Sequence, residues 1–119
     1  GENNICTLLM YFPVKPWINR EKMNKITVRV GQTVRFDVDV KGEPVPTTTW
    51  SFGGATLENG VRIKIENQDY ETKLKIPDAT RKNKGTYTLR AENCNGFDEA
   101  TVDVIVLGTV LIVLKSYHV

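Results

Sequence analysis

The segment from Gly31 to Trp50, GQTVRFDVDVKGEPVPTTTW, narrows the possible folds more than any other part of the chain. Val34, Phe36, Val38 and Val40 alternate with Arg35, Asp37, Asp39 and Lys41. Successive strand side chains point to opposite faces, so this run makes a strand with one apolar face and one charged face. Such a strand is half-buried and antiparallel. Gly42, Pro44 and Pro46 then signal a turn, the β-formers Thr47, Thr48 and Thr49 follow, and the run delivers Trp50. A large ring arriving just after a turn is expected to anchor a core. The alternation returns in Thr86-Tyr87-Thr88-Leu89-Arg90-Ala91, with Gly85 two places before the tyrosine.

The rest of the chain supplies short strands at similar intervals. Ile26, Val28 and Val30 alternate with Thr27 and Arg29 up to Gly31 and form a first edge strand. Trp50-Ser51-Phe52 continues the threonine run until Gly53-Gly54 ends it. Leu57 is expected to tuck under the next loop, and Asn59-Gly60 to form a turn tolerant of positive φ. Val61, Ile63 and Ile65 alternate with Arg62, Lys64 and Glu66. After a polar hairpin turn over Asn67 to Glu71, Thr72, Leu74 and Ile76 alternate with Lys73 and Lys75, so the two runs are neighbours. Pro77 stops the second, and Asp78 to Lys84 crosses between sheets. The Tyr87 strand ends in Asn93-Cys94-Asn95-Gly96, and the last strand sets Ala100, Val102, Val104 and Val106 against Thr101 and Asp103. No helical period exceeds a turn, which predicts an all-β sandwich of two antiparallel sheets.

Pro13 and Pro16 set Gly1 to Val14 apart as a tail or linker, since proline resists continuous ladder pairing. The predicted domain runs from Lys15 to Leu107, with an apolar extension over 108–119. Thr109 to Leu114 would be apolar on both faces of a strand, so it either extends the final strand against the apolar Ile5 to Phe12 or stays exposed to edge association.

Composition excludes several function classes. A chain of 119 residues, 40% hydrophobic and 25% charged, fits one soluble domain. Its net charge of +2 comes from interspersed signs. Lys15, Arg20, Lys22 and Lys25 are interrupted by Glu21 and carry no aromatic ladder, which reads as a solvated face and not a nucleic-acid site. Two cysteines, Cys6 and Cys94, are too few for a disulfide framework, and no Asn-x-Ser/Thr acceptor occurs; both point to a reducing, intracellular setting. Ile5 to Phe12 lacks the positive flank and cleavage site of a signal peptide. Val104 to Leu114 falls short of the ~20 residues a membrane-spanning helix needs.

No catalytic, metal or cofactor site assembles from these residues. His118 is the only histidine and lies beside the C-terminus. Cys94 with Asp98 and Glu99 has too few soft ligands for structural zinc, and the carboxylates would raise the thiol pKa; an exposed turn residue is expected. Asp37 and Asp39 share a strand face but are expected to meet water and Arg or Lys partners. Gly53-Gly54 lacks the lysine and helix of a phosphate loop, and Met10 and Met23 are isolated.

Taken together, Gly42, Pro44 and Pro46 ahead of Trp50, then Gly85-Thr86-Tyr87-Thr88-Leu89, then Ala91-Glu92-Asn93 and Gly96 resemble the intermediate (I-set) immunoglobulin domains. Within that set the chain is most similar to domains of the intracellular muscle giants, the titin, twitchin and projectin group. The resemblance implies strands A, A′, B, C, D, E, F and G, with Trp50 between the sheets and Tyr87 as the tyrosine corner. Val38 and Leu89 then occupy the positions that a B–F disulfide links in extracellular members, and Leu74 joins them in the core. Asn83 stands where an acidic residue often precedes the corner.

Losing such a bridge costs about 2–5 kcal/mol, whereas burying one aliphatic side chain returns about 1.5–3 kcal/mol, so two aliphatics offset most of it. The resemblance implies a non-enzymatic spacer and docking module in a cytoplasmic, sarcomeric filament protein, without cofactor or membrane. Its expected partners are neighbouring immunoglobulin or fibronectin-type domains and thick-filament proteins. The rival expectation is a module of an adhesion or receptor ectodomain.

Overall fold

Alternating residues become the two faces of nine strands in the computed structural model, which describes residues 13–108. The strands are β1 (Val14–Ile18), β2 (Ile26–Arg29), β3 (Val34–Glu43), β4 (Thr47–Phe52), β5 (Ala55–Thr56), β6 (Lys64–Gln68), β7 (Glu71–Ile76), β8 (Gly85–Asn93) and β9 (Gly96–Leu107). Single 3-10 turns at Arg20–Lys22 and Arg81–Asn83 carry the chain from one sheet to the other.

One sheet has the order β1-β3-β7-β6 and the other β2-β9-β8-β4-β5. Every pairing is antiparallel except β2 with β9, which run parallel from Ile26 opposite Val104 to Arg29 opposite Leu107. The core lies between the layers. Val34, Phe36, Val38 and Val40 of β3 and Leu74 and Ile76 of β7 meet Trp50, Tyr87, Leu89, Val102 and Val104 from the opposite sheet, all of them buried. Phe36 stacks on Trp50 at 6.1 Å between ring centroids, and Phe52 on Tyr87 at 4.4 Å.

Gly85 makes the second stack possible. It has φ +146°, and a Cβ there would stand 2.7 Å from the Phe52 ring. Gly42 works similarly and is not a turn residue: β3 continues through it to Glu43. A Cβ on Gly42 would lie 2.7 Å from the Pro46 ring and 3.2 Å from the Pro16 backbone, so only glycine lets the three segments approach.

Local details depart from the expectations. Pro16 sits inside β1, where the register against β3 shifts, because an edge strand with a bulge tolerates the missing N–H. The strand therefore begins at Val14. Val61 is 86% exposed and the ladder starts only at Lys64. Gly60 N–H donates to the Ile63 carbonyl at 2.7 Å, closing a turn that breaks the alternation, and Gly60 needs no positive φ for it. The β6–β7 turn is confined to Asp69 and Tyr70, with Tyr70 at φ +66°, so Asn67 and Gln68 still pair with Thr72 and Glu71. Thr109 to Leu114, Ile5 to Phe12, His118 and Met10 lie outside the described residues.

Candidate functional site

The Trp50 indole is buried, but its N–H still needs an acceptor, and Thr72 supplies it. Trp50 Nε1 on β4 donates to Thr72 Oγ1 on β7 at 2.9 Å, a bond between the two sheets. The Thr72 hydroxyl donates onward to Asn67 Oδ1 at 2.6 Å, and the Thr48 hydroxyl donates to the same oxygen at 3.0 Å. Thr72 is the one buried polar residue among the described residues. The alternation had marked it only as an inward threonine; its role as acceptor depends on which ring faces it across the core.

Tyr87 closes the other side. Its hydroxyl donates to the Asn83 carbonyl at 2.6 Å, and burial raises its pKa. Asn83 in turn accepts the Thr80 N–H at 2.8 Å through its side chain, so the amide caps the 3-10 turn that feeds the corner. Val38 and Leu89 are both fully buried, one in each sheet, and no disulfide joins them.

Asp98, Glu99 and Cys94, the residues weighed for a chemical centre, are engaged separately. Asp98 accepts two hydrogen bonds from Arg20, at 2.7 and 2.8 Å, and a third from the Ile18 N–H at 2.9 Å. The hydrogen bonds to Arg20 hold the Asp98 carboxyl below the usual carboxylate range. Glu99 lies 3.5 Å from Arg90, which also covers the Phe97 ring at 3.8 Å. Cys94 is exposed in the β8–β9 turn, as expected, but it is disulfide-bonded, which departs from the reducing setting that the cysteine count suggests.

The basic stretch is dispersed too: Arg20 is taken by Asp98, and the Lys15 stem lies against Gly96. Beside it, Asn93 Nδ2 donates to the carbonyls of Val14 and Pro44, both at 2.9 Å, and Asn95 Nδ2 to that of Glu43 at 2.7 Å. These contacts tie β1 and the β3–β4 turn to the β8–β9 hairpin.

The outer face of the four-stranded sheet carries the densest charge. Register places Arg35, Lys75 and Lys64 side by side in one row, Asp37, Lys73 and Glu66 in the next, and Asp39, Glu71 and Gln68 in the third. Asp37 and Asp39 were expected to face basic partners. Instead, among the described residues neither joins an ion pair, and one oxygen each of Asp37, Asp39 and Glu71 lie within 4.8 Å of one another. Register sets Asp37 opposite the basic Lys73 but Asp39 opposite Glu71, and Lys73 pairs with Glu71 at 3.9 Å instead. Hydrogen bonding to Asp37 raises the Glu71 pKa. Sequence had suggested only the two aspartates; the third carboxylate comes from a strand 32 or more residues away and no local pattern links them.

Two facing sheets, a buried tryptophan tied across them, a tyrosine corner and a β1–β2 strand divided between the sheets define an immunoglobulin-type module. The chain belongs to the immunoglobulin I-set domain family, whose family model matches residues 18–106. It is 38% identical over 86 residues to fast-type myosin-binding protein C of Gallus gallus, covering 71% of this chain and 8% of that protein. It is 35% identical over 80 residues to the muscle M-line assembly protein unc-89 of Caenorhabditis elegans, covering 67% of this chain and 1% of that protein. Human hemicentin-1 is 36% identical over 89 residues, covering 75% of this chain and 2% of that protein.

Among solved structures, a crystal structure of the complex of titin M10 with an immunoglobulin domain of obscurin-like 1 superposes with a TM-score of 0.75. It is 28% identical to this chain and covers 80% of it, and 96% of that chain. The chain is thus an immunoglobulin module related to those of muscle giants, and it spans only 8% of the myosin-binding protein C and 1% of the unc-89 relative. Among the described residues no helix is long and apolar enough to cross a membrane.

Proposed function

We propose that this domain is a non-enzymatic link of a sarcomeric, thick-filament-associated protein, serving as a spacer under tension and as a docking surface for other protein domains. The observation that carries this reading is the parallel pairing of β2 with β9. The chain enters β2 at one end of the pair and leaves β9 at the other, so tension along the polypeptide loads the ladder in shear and its hydrogen bonds must yield together. The muscle relatives support the setting. Single-molecule pulling on the domain in a tandem array tests it. Val28→Pro, which disturbs the β2 edge, is expected to lower the rupture force; an unchanged force removes the mechanical role.

A second reading, a module of an adhesion or receptor ectodomain, is favoured by the disulfide at Cys94, since disulfides persist in oxidising compartments. Thiol trapping in native tissue separates the two. A reduced Cys94 supports the sarcomeric reading, and an oxidised one the ectodomain.

A further inference from the structure

We propose that the outer face of the four-stranded sheet pairs with the same face of a second copy of this chain, the two sheets running antiparallel. Like charges directly opposite on neighbouring strands are destabilising, yet Arg35, Lys75 and Lys64 stand in one row on β3, β7 and β6. Among the described residues none of the three has an ion-pair partner. Four residues further along β3, and four back along β7, Asp39 and Glu71 face each other with Asp37 close by. Over these three rows the face is bipolar, its cationic and anionic rows separated by about 13 Å of strand, and Lys41 beyond them lies over the Trp17 ring.

That pattern selects its partner. A uniformly acidic ligand, such as a nucleic-acid backbone or an anionic membrane, is attracted by the first row and repelled by the third; a uniformly basic one meets the reverse. A surface with the same two signs in opposite order satisfies both rows. A second copy turned over about an axis across the strands presents that order. Arg35 then lies over the partner's Asp39 and Lys75 over the partner's Glu71, each contact repeated by symmetry as an isologous interface requires. The axis passes level with the middle row, where Asp37 and Lys73 face their own copies, and the flexible Lys73, whose Nζ lies 3.9 Å from Glu71 in the single chain, leans to the carboxylates of either copy. An interface of exposed charges without an apolar centre is weak and sensitive to salt.

Sedimentation of the 119-residue chain across a dilution series tests the proposal. The expected result is a monomer–dimer equilibrium at low salt, weakened about tenfold or more in ~1 M salt, where the Debye length falls to about 3 Å. Arg35→Glu with Lys75→Glu makes the β3 and β7 positions of both outer rows acidic, and Asp39→Lys with Glu71→Lys makes the same positions basic. Each double variant alone is expected to be monomeric, and an equimolar mixture to form a heterodimer at least as tight as the wild-type pair. The single reversals Arg35→Glu and Asp39→Lys repeat the exchange should a double variant fail to fold. A wild-type chain that stays monomeric at low salt overturns the proposal. So does a mixture that does not associate, or a dimer that survives both high salt and both reversals.

Discussion

The Trp50 indole N–H and the Thr72 hydroxyl, on different sheets, meet at 2.9 Å in the middle of the core. This bond joins the two layers at the level where Val38 and Leu89 stand without a sulfur bridge. Aliphatic burial supplies most of the adhesion there, but it is non-directional. The hydrogen bond adds direction, because a buried donor left unpaired carries the full cost of its lost hydration.

Replacing Thr72 with Val keeps the shape and removes the acceptor. The expected loss is about 1–3 kcal/mol, seen as a lower urea midpoint with an unchanged slope. Thr72→Ser retains the hydroxyl and is expected to fall well short of that loss. A Thr72→Val variant as stable as the wild type would deny the hydroxyl its role.

Asp98 sets an acid-side limit. Its folded pKa is depressed, first by its hydrogen bonds to Arg20, so its contribution is complete above the unfolded carboxyl pKa near 3.8 and is lost as pH falls through the lower folded value. Asp98→Asn is expected to cost about 1 kcal/mol at neutral pH, discounted because the Arg20 side chain is 53% exposed. The gap between variant and wild type should close as pH drops below that point. A gap constant down to strongly acid pH would deny the ion pair its role.

Glu71 has the opposite sign. Its folded pKa is raised, chiefly by the hydrogen bond with Asp37, so its ionised form is penalised in the folded state. The penalty is absent below the unfolded carboxyl pKa and fully present above the folded one. Glu71→Gln is therefore expected to raise the thermal midpoint at neutral pH, with the gain vanishing under acid conditions. A loss of stability at neutral pH would mean that Glu71 gains more from Lys73 than it loses to the aspartates.

Val38 and Leu89 can be asked directly whether they occupy bridging positions. Val38→Cys with Leu89→Cys is expected to oxidise readily in vitro, read as one fewer pair of reactive thiols and a higher denaturation midpoint. An intact fold that leaves both thiols free would place the pair out of bridging register.

The period-two alternation in β3, β7, β8 and β9 was legible because each strand has one dry face, and solvent exposure imprints that face on local sequence order. Trp50 and Tyr87 were legible for the same reason: a large ring among β-formers has few places to go. The late start of β6 at Lys64 was not, because the Gly60–Ile63 turn uses residues that would also suit a strand.

The order of residues by itself determined an all-β sandwich with an apolar interior, because local alternation is enough to say which side chains leave water. Only tertiary structure decided that Trp50 donates to Thr72, that Arg20 holds Asp98 from 78 residues away, and that Glu71 joins two aspartates under strain of like charge. Those pairings depend on register and on which sheet faces which. Both are settled by packing across the core, where residues distant in sequence compete for the same few ångströms.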